Sequence, residues 1–269
     1  MNLELDGKIA LITGSSKGIG KGIAQGLARE GATVIVHGRD KIATEEVAHN
    51  IVNQGGRAYA VFGDLTNDDE VEELVQDAQA FIKPVDILVN NAGGSGDPEE
   101  WSTTRPEKWA SCYDRNVLAA VRVTARLLPS MRAAKWGRIV NISSLAALMP
   151  PSKRPDYAAA KAAMIAMIAS LAKEVALDGI TANTVSPGTI HSDKLEKSFR
   201  KVATGQGLAP NAPWTEIEKI ALPMFAQVPM GRVGTLEELA DAIAFLASPR
   251  ASYITGANLR LDGGMWPGL

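Results

Sequence analysis

Residues 137–161 read GRIVNISSLAALMPPSKRPDYAAAK, and this stretch decides how the rest of the chain is interpreted. The β-branched run at residues 138–142 predicts a short buried strand, which the pair Ser143 and Ser144 ends. A proline-rich loop follows, and a helix is expected to begin near Tyr157. Strand, loop and helix in this order are typical of α/β proteins, whose ligands bind at the carboxyl ends of the strands.

Helical spacing puts Tyr157 and Lys161 one turn apart on the same face. A nearby ammonium favours the phenolate, so we expect the pKa of Tyr157 to lie below its free value of about 10. Such a tyrosine can act as a general acid/base near neutral pH, and Ser144 is placed to hydrogen-bond the same reacting oxygen. A lone tyrosine and lysine at this spacing are more often structural, so the assignment depends on motifs elsewhere in the chain.

A glycine-rich turn, TGSSKGIG at residues 13–20, lies near the start of the chain. Apolar residues at 8–13 predict a buried strand before it, and the helical pattern at 19–30 predicts a helix after it. Glycines allow a tight bend and a close approach to a phosphate, and the amino end of a helix favours negative charge. A plain tight turn is the alternative, because spaced glycines alone are a weak signal.

These features resemble the short-chain dehydrogenase/reductase family. The family's motifs occur here in family order and at family spacing, as TGSSKGIG at 13–20, NNAG at 90–93, Asn116, Ser144, YAAAK at 157–161 and PG at 187–188. The resemblance covers nearly the whole chain. It implies a single doubly wound Rossmann-type α/β domain over residues 1–269, with a seven-stranded, mostly parallel sheet and the dinucleotide at the strand carboxyl ends.

Strands and helices are expected to alternate along the rest of the chain. The expected strands lie at 33–38, 57–63, 86–90, 181–185 and 258–261, and the expected helices at 41–54, 68–81, 106–134, 157–177 and 235–247. Pro129 is expected to kink the long helix at 106–134. Periodicity stops at residues 192–228, which we interpret as an irregular lid over the substrate, with a surface or subunit-contact excursion as the alternative.

The resemblance implies a catalytic set of Asn116, Ser144, Tyr157 and Lys161. Tyr157 would move the proton, Ser144 would orient the oxygen, and Lys161 would lower the tyrosine pKa and hold the nicotinamide ribose. Asn116 falls inside a predicted helix, where an asparagine competes with the backbone. In the family this asparagine holds a local irregularity of the helix and positions a water that leads to the lysine.

The resemblance also implies which residues bind the cofactor. Asp64 would contact the adenine edge, with a capping or loop role as the alternative, and the segment from Pro187 would close over the nicotinamide. The full set is Gly14, Ser16, Lys17, Gly18, Ile19, Gly20, Arg39, Asp64, Leu65, Asn91, Ala92, Gly93, Tyr157, Lys161, Pro187, Gly188, Ile190 and Ser192.

The end of the second strand predicts a preference for NADP(H), with NAD(H) left open. NAD-specific relatives place an acidic residue there, whereas this chain has Gly38. Arg39 could grip a 2′-phosphate with two parallel hydrogen bonds, and Lys17 lies on the same side by resemblance. One alternative is that Lys17 and Arg39 are exposed to solvent and do not contact the cofactor. The other is that Asp40 pairs with Arg39 and holds it away from the phosphate.

Composition narrows the class of protein. With 269 residues and 46% hydrophobic content, the chain can bury a substantial core, and a net charge of −2 offers no basic field for nucleic acid. Apolar runs shorter than the roughly 18–20 residues of a membrane span, and a start without a cationic signal region, predict a cytoplasmic protein without membrane contact. Cys112 is expected to be inert packing, and no metal cluster is expected from it and His37, His49 and His191.

We therefore predict an NADP(H)-dependent oxidoreductase that interconverts a small-molecule carbonyl and a secondary alcohol. A dinucleotide-binding sensor or scaffold and a methyltransferase are the alternatives. Within the family, 3-oxoacyl carrier-protein reductases share these motifs, although the segment after Ser192 looks longer than theirs. Apolar ketones, sugars and steroid-like alcohols are the other substrate classes that the sequence leaves open. Lys153 and Arg154 either meet an acidic substrate or are solvated. The resemblance implies a homotetramer, built partly on helices at 119–128 and 162–176.

Overall fold

Strands and helices alternate through most of the computed structural model, which describes residues 2–81 and 84–268. The strands are β1 Ile9–Ile12, β2 Thr33–Gly38, β3 Arg57–Phe62, β4 Ile87–Asn90, β5 Gly137–Ile142, β6 Ile180–Pro187 and β7 Asn258–Leu261. The α-helices are α1 Gly18–Arg29, α2 Lys41–Asn53, α3 Asp68–Ala80, α4 Pro106–Tyr113, α5 Ala119–Ala134, α6 Pro155–Val175, α7 Asp193–Gly205, α8 Trp214–Phe225 and α9 Leu236–Ala247.

The strands form one sheet in the order β3-β2-β1-β4-β5-β6-β7. Every pairing between these strands is parallel. β1 pairs with β2 on one side and with β4 on the other, so the order of the strands reverses at β1. A crevice for a ligand opens at such a reversal, beyond the carboxyl ends of the strands. The predicted doubly wound sheet is confirmed.

Helices cover both faces of the sheet and enclose two apolar cores. α1, α2 and α9 pack on one face, around Ile23, Leu27 and Leu239. α3, α5 and α6 pack on the other face, around residues such as Leu74 and Leu127. β1 and β4 are buried along their whole length between these layers. Their continuous apolar sequences follow from this position, because a central parallel strand has neither face in water.

The long helix predicted at 106–134 is interrupted. α4 ends at Tyr113, one π-helical turn spans Asp114–Leu118, and α5 then continues to Ala134. The interruption surrounds Asn116, as the family resemblance implied, because a π-turn inserts one residue into the helical ladder. Pro129 lies inside α5 and does not end it.

The prediction that residues 192–228 are irregular is wrong. This segment forms α7 and α8, which pack against each other around an apolar cluster that includes Phe199 and Ile217. Ser192 caps α7, since its hydroxyl accepts a hydrogen bond from the N–H of Leu195 at 3.3 Å. Gly205 ends α7, and Gly207 and the prolines at 210 and 213 separate it from α8, so the segment is two helices with a short break rather than an irregular loop. In the residues that the structure describes, no helix is both long and apolar enough to cross a membrane.

Candidate active site

The turn after β1 bends where glycine is needed. Gly14 and Gly18 have φ angles of +64° and +57°, in a region that other residues rarely adopt. A Cβ atom on Gly14 would lie 2.8 Å from the Cα of Ala92, and one on Gly20 would collide with the carbonyl oxygen of Gly14. At Gly18 the same position faces open space, so its backbone is accessible from the cavity that it lines.

Helix α1 presents its amino end to this cavity. Its N-cap residue is Lys17, whose side chain makes no capping hydrogen bond, and no acidic residue stands in the first turn. The first N–H groups of a helix lack intrahelical partners and favour a bound anion. The accessible backbone at Gly18 and the uncapped helix end therefore fit the diphosphate of a dinucleotide.

The NNAG turn after β4 holds the glycine turn in place. Asn91 Nδ2 donates to the carbonyl oxygens of Thr13 and Gly14, both at 2.9 Å. In return, Thr13 Oγ1 accepts from the backbone N–H groups of Asn91 and Ala92, both at 3.0 Å. Asn91 thus acts first as a cross-link between the ends of β1 and β4, and its side chain also lines the cavity.

Asn116 is fully buried in the π-turn and ties that turn to the loop after β4. Its Oδ1 accepts from the N–H of Gly94 at 2.9 Å, and its Nδ2 donates to the carbonyl oxygens of Gly94 at 3.2 Å and Cys112 at 2.8 Å. A Cβ atom on Gly93 would collide with Oδ1. Cys112 is buried beside it, and burial raises the pKa of the thiol to about 11, as suits inert packing.

β5 and α6 bring three of the predicted catalytic residues to one cavity. Ser144 follows the end of β5, Tyr157 lies in the first turn of α6, and Lys161 lies one turn later. All three line a cavity of about 770 Å³, together with the glycine turn. Lys161 Nζ donates to the carbonyl oxygen of Ile142 at 2.8 Å and lies 5.7 Å from the centre of the Tyr157 ring.

Burial dominates the proton affinity of Tyr157. It raises the pKa of the phenol, while a hydrogen bond with Ser144 and the charge of Arg154 act in the opposite direction. The predicted lowering of this pKa by Lys161 is therefore wrong for this structure. Lys161 is itself buried, which lowers its pKa to about 8, and its Nζ donates to the carbonyl oxygen of Ile142. The phenol consequently keeps its proton at neutral pH.

A second cavity adjoins the glycine turn at the ends of β2 and β3. Gly38, Arg39 and Asp64 line it, and Arg39 Nη1 lies 3.2 Å from Asp64 Oδ2. Asp40 caps α2 instead, by accepting from the N–H of Ala43 at 3.1 Å. The alternative in which Asp40 holds Arg39 is therefore wrong, because Asp64 is the residue that pairs with it.

The two cavities account for most of the predicted cofactor residues. The first is lined by Gly14, Lys17, Gly18, Ile19, Gly20, Asn91, Gly93, Tyr157, Lys161, Pro187, Gly188 and Ser192. The second is lined by Ser16, Arg39, Asp64, Leu65 and Ala92, and again by Gly14, Lys17, Asn91 and Gly93. Ile190, which is also a predicted cofactor residue, lines neither of these two cavities. Its side chain is buried beneath the loop, and its backbone bridges to Gly234.

Comparison with known proteins identifies the family. Residues 8–203 match the family model described as short chain dehydrogenase. The chain belongs to the short-chain dehydrogenase family. The oxidoreductase class that the motifs predicted is thereby confirmed, since curated relatives of this short-chain dehydrogenase are reductases.

Three relatives match this short-chain dehydrogenase over nearly its whole length. The 3-oxoacyl-[acyl-carrier-protein] reductase of Vibrio cholerae is 36% identical over 266 residues, which cover 98% of this chain and 99% of that protein. The L-sorbose reductase of Gluconobacter frateurii, solved with NADPH and L-sorbose, has a TM-score of 0.92 at 34% identity, with full coverage of both chains. An NADP-bound 3-oxoacyl (acyl-carrier-protein) reductase of Agrobacterium tumefaciens has a TM-score of 0.83 at 37% identity, with 96% and 94% coverage.

Helix α7 adds residues to the catalytic cavity of this short-chain dehydrogenase that the sequence did not predict. Lys194, Lys197 and Ser198 line that cavity, together with Asp193 at the start of the helix. Neither lysine forms an ion pair within the described ranges 2–81 and 84–268. The signal that could have found them is the spacing of Lys194 and Lys197 on one helical face, opposite the apolar residues of α7.

Proposed function

We propose that this protein is an NADP(H)-dependent reductase that interconverts a small-molecule carbonyl and a secondary alcohol. The observation that carries the proposal is the meeting of Ser144, Tyr157 and Lys161 in the cavity that the phosphate-binding turn also lines. The solved relatives with NADPH and NADP support the same cofactor here. A bound nicotinamide would supply the hydride in reduction or take it in oxidation.

Tyr157 is the proton donor in this proposal. Because burial raises its pKa, the phenol is protonated at neutral pH and can give its proton to a carbonyl oxygen. Ser144, which lines the same cavity as Tyr157, would donate a second hydrogen bond to that oxygen and hold it in place. In the oxidative direction Tyr157 would accept the proton, and this direction is expected to need a higher pH.

Lys161 and Asn116 would support the site without touching the reacting carbon. Lys161 is buried, and its ammonium already donates to the carbonyl oxygen of Ile142 and to Met164 Sδ, so its third N–H donor would face the nicotinamide ribose. Asn116 holds Gly94 and the loop after β4 at the edge of the cavity. We propose that the water implied by the family resemblance would lie between this turn and Lys161.

The cofactor preference would be set in the second cavity. Gly38 leaves the end of β2 without a carboxylate, and Arg39 and Lys17 line this cavity. A 2′-phosphate could therefore be neutralised from two sides. NADP(H) is the proposed cofactor, and NAD(H) would bind without these two contacts.

The substrate is proposed at the level of its reacting group. A cavity of about 770 Å³ has room for the nicotinamide and for a small or medium carbonyl compound. The relatives indicate two classes, since one is named for a 3-oxoacyl group on a carrier protein and another for a ketose. A panel should therefore contain 3-oxoacyl thioesters, 3-oxoacyl esters, ketoses and simple apolar ketones.

The deciding experiment follows NADPH absorbance with this panel for the parent and for Tyr157→Phe. The proposal expects turnover of at least one carbonyl by the parent and little by the variant, with the same NADPH affinity for both. Tight NADPH binding without turnover of any carbonyl would favour the sensor or scaffold instead.

We also propose a homotetramer, in keeping with the family resemblance. Apolar side chains on the outer face of the π-turn and α5 support it, since Leu118 is 39% and Val121 40% exposed in the single chain. Tyr113 at the end of α4 is exposed beside them. Multi-angle light scattering at micromolar concentration tests this, and a monomer would contradict it.

A further inference from the structure

His37 joins two loops of the second cavity through its ring. It lies near the end of β2, where it is 3% exposed. The backbone N–H of Gly14 donates to His37 Nδ1 at 3.0 Å, and His37 Nε2 lies 3.0 Å from the carbonyl oxygen of Gly63. Gly14 opens the turn after β1, whereas Gly63 follows β3 and precedes Asp64. One side chain thus spans the ends of three neighbouring strands.

The backbone of His37 is tied to the same turn. Its N–H donates to Ser15 Oγ at 3.0 Å, and its carbonyl oxygen accepts from the N–H of Ser15 at 2.8 Å. Ser15 Oγ in turn donates to the carbonyl oxygen of Ile12 at 2.7 Å. The ring is therefore held in one position, because both the residue and its neighbours have satisfied hydrogen bonds.

These partners admit a single form of the imidazole. The N–H of Gly14 is a donor, so Nδ1 must be an unprotonated acceptor. The carbonyl of Gly63 is an acceptor, so Nε2 must carry the proton. A proton added to Nδ1 would point at the N–H of Gly14 from 3.0 Å, and the hydrogen bond to the turn would be lost.

We propose that neutral, Nε2-protonated His37 is a positioning residue for the dinucleotide, because it sets the separation of the turn at Gly14 from the loop at Gly63. The inference rests on the proposed cofactor. His37 would act through the backbone, so its removal should weaken the binding of NADPH and NADH by similar factors. The step at the nicotinamide should change little, since Tyr157 and Ser144 lie in the other cavity.

The surroundings keep the ring neutral over a wide range of pH. Burial lowers the pKa of His37, and Arg39 acts in the same direction, while the hydrogen bond to Gly63 and the charge of Asp64 oppose it. A histidine with a lowered pKa contributes its full stabilisation above its ordinary value of about 6.5 and loses it as the pH falls through the folded-state pKa. Protonation would also break the hydrogen bond with Gly14, so cofactor affinity should hold at neutral pH and fall only as the pH drops through this lowered pKa.

The experiment measures NADPH and NADH affinity by fluorescence titration without substrate, for the parent, His37→Ala, His37→Asn and His37→Gln. The alanine variant loses both ring contacts, and we expect its dissociation constant to rise about tenfold, with kcat at saturating cofactor within about twofold of the parent. Asparagine can place an acceptor near the Nδ1 position and glutamine a donor near the Nε2 position, so each should recover part of the loss. His49→Asn, on the exposed side of α2, is the matched control.

The pH dependence of NADPH affinity separates a positioning role of His37 from a role in stability alone. As the pH falls through the lowered pKa of His37, the parent should lose NADPH affinity more steeply than His37→Asn, and this comparison cancels the ionisation of the 2′-phosphate itself. Nitrogen-15 NMR of the parent ring should show the Nε2–H tautomer at neutral pH, a test that needs no variant. An alanine variant with parental affinity, identical pH profiles, or an Nδ1–H tautomer would each overturn the inference. Failure of the parent to bind either cofactor would instead overturn the proposed function.

Discussion

Arg39 and Asp64 form an ion pair at 3.2 Å in the cavity where a 2′-phosphate is expected. The Arg39 side chain is 76% exposed, so this pair should stabilise the fold by only about 0–1 kcal/mol. A phosphate carries more charge than a carboxylate and can accept two parallel bonds from the guanidinium. We therefore expect the preference for NADP(H) to arise because the 2′-phosphate displaces the Asp64 carboxylate from Arg39, and not because Arg39 is unpaired beforehand.

Arg39→Leu should lower kcat/KM for NADPH by about 10- to 100-fold and leave that for NADH nearly unchanged, because only NADPH has the phosphate. Steady-state kinetics with both cofactors measures this, with Arg29→Leu at the exposed end of α1 as the control. Adding Gly38→Asp, to supply the acidic residue typical of NAD-specific relatives, would confuse the result. Its Cβ would lie 2.9 Å from Ser16 Cβ and would collide with Thr44, so the variant would also disturb the fold. A parent that already prefers NADH would contradict the prediction.

Tyr157→Phe should lower kcat by at least about 10²-fold, because it removes the proton donor and leaves the phosphate-binding turn intact. Absorbance of NADPH with an active carbonyl substrate measures turnover, and fluorescence titration checks that the cofactor still binds. Tyr253→Phe, at a fully exposed side chain, is a control with the same chemical change. Activity of the Tyr157 variant within tenfold of the parent would remove Tyr157 from the mechanism.

Asn116→Ala should destabilise the fold by about 2–4 kcal/mol, because it leaves the N–H of Gly94 and the carbonyl of Cys112 without their partner in a buried site. Urea denaturation measures the free energy of unfolding, with Asn50→Ala on the exposed face of α2 as the control. Activity should fall as well, since the loop at Gly94 borders the cavity. A variant as stable as the control would show that the π-turn does not depend on this amide.

The buried ammonium of Lys161 should destabilise the folded protein most below about pH 8, and this destabilisation should shrink as the pH rises above that value. Burial lowers its pKa to about 8, so between that value and its ordinary pKa of 10.5 the unfolded chain binds a proton that the folded chain does not. The free energy of unfolding should therefore rise with pH in this range, by up to about 3 kcal/mol. Urea denaturation of the parent and Lys161→Met at pH 7.5 and 10 measures it, with Lys173→Met on the exposed side of α6 as the control. An unchanged difference between parent and variant at the two pH values would argue against the buried ammonium.

We expect Lys194 and Lys197 to favour carbonyl substrates that carry an anionic group. Both line the catalytic cavity, and the ionisable groups there are Lys17, Lys161, these two lysines, Tyr157 and Asp193, an excess of positive charge. Replacing both by alanine should lower kcat/KM for a 3-oxo acid about tenfold relative to its neutral ester. Lys201→Ala, on the same helix but outside this cavity, is the matched control. Equal losses for acid and ester, or a weaker affinity for NADPH alone, would show that the lysines do not select the substrate.

Most strands and helices were predictable because their periodicity is local. β2, β7 and α9 occur almost where their patterns predicted, and the capping box of Thr235 and Glu238 begins α9. α7 and α8 were missed although each is as long as α9, and they differ from it in packing against each other rather than against the sheet. The apolar face of α7 is written in its own residues, but its partner surface on α8 lies in a separate segment, and no single window of sequence contains that pairing.

The sequence by itself determined the glycine turn, the order of the strands along the chain and the types of residue at the site. These depend on spacing within one segment, and the spacing is written in the chain. Only the tertiary structure decided which way the pKa of Tyr157 moves, that Asp64 rather than Asp40 meets Arg39, and which tautomer His37 adopts. Each of these depends on burial and on distances of a few ångströms between segments far apart in the chain, which residue patterns do not carry.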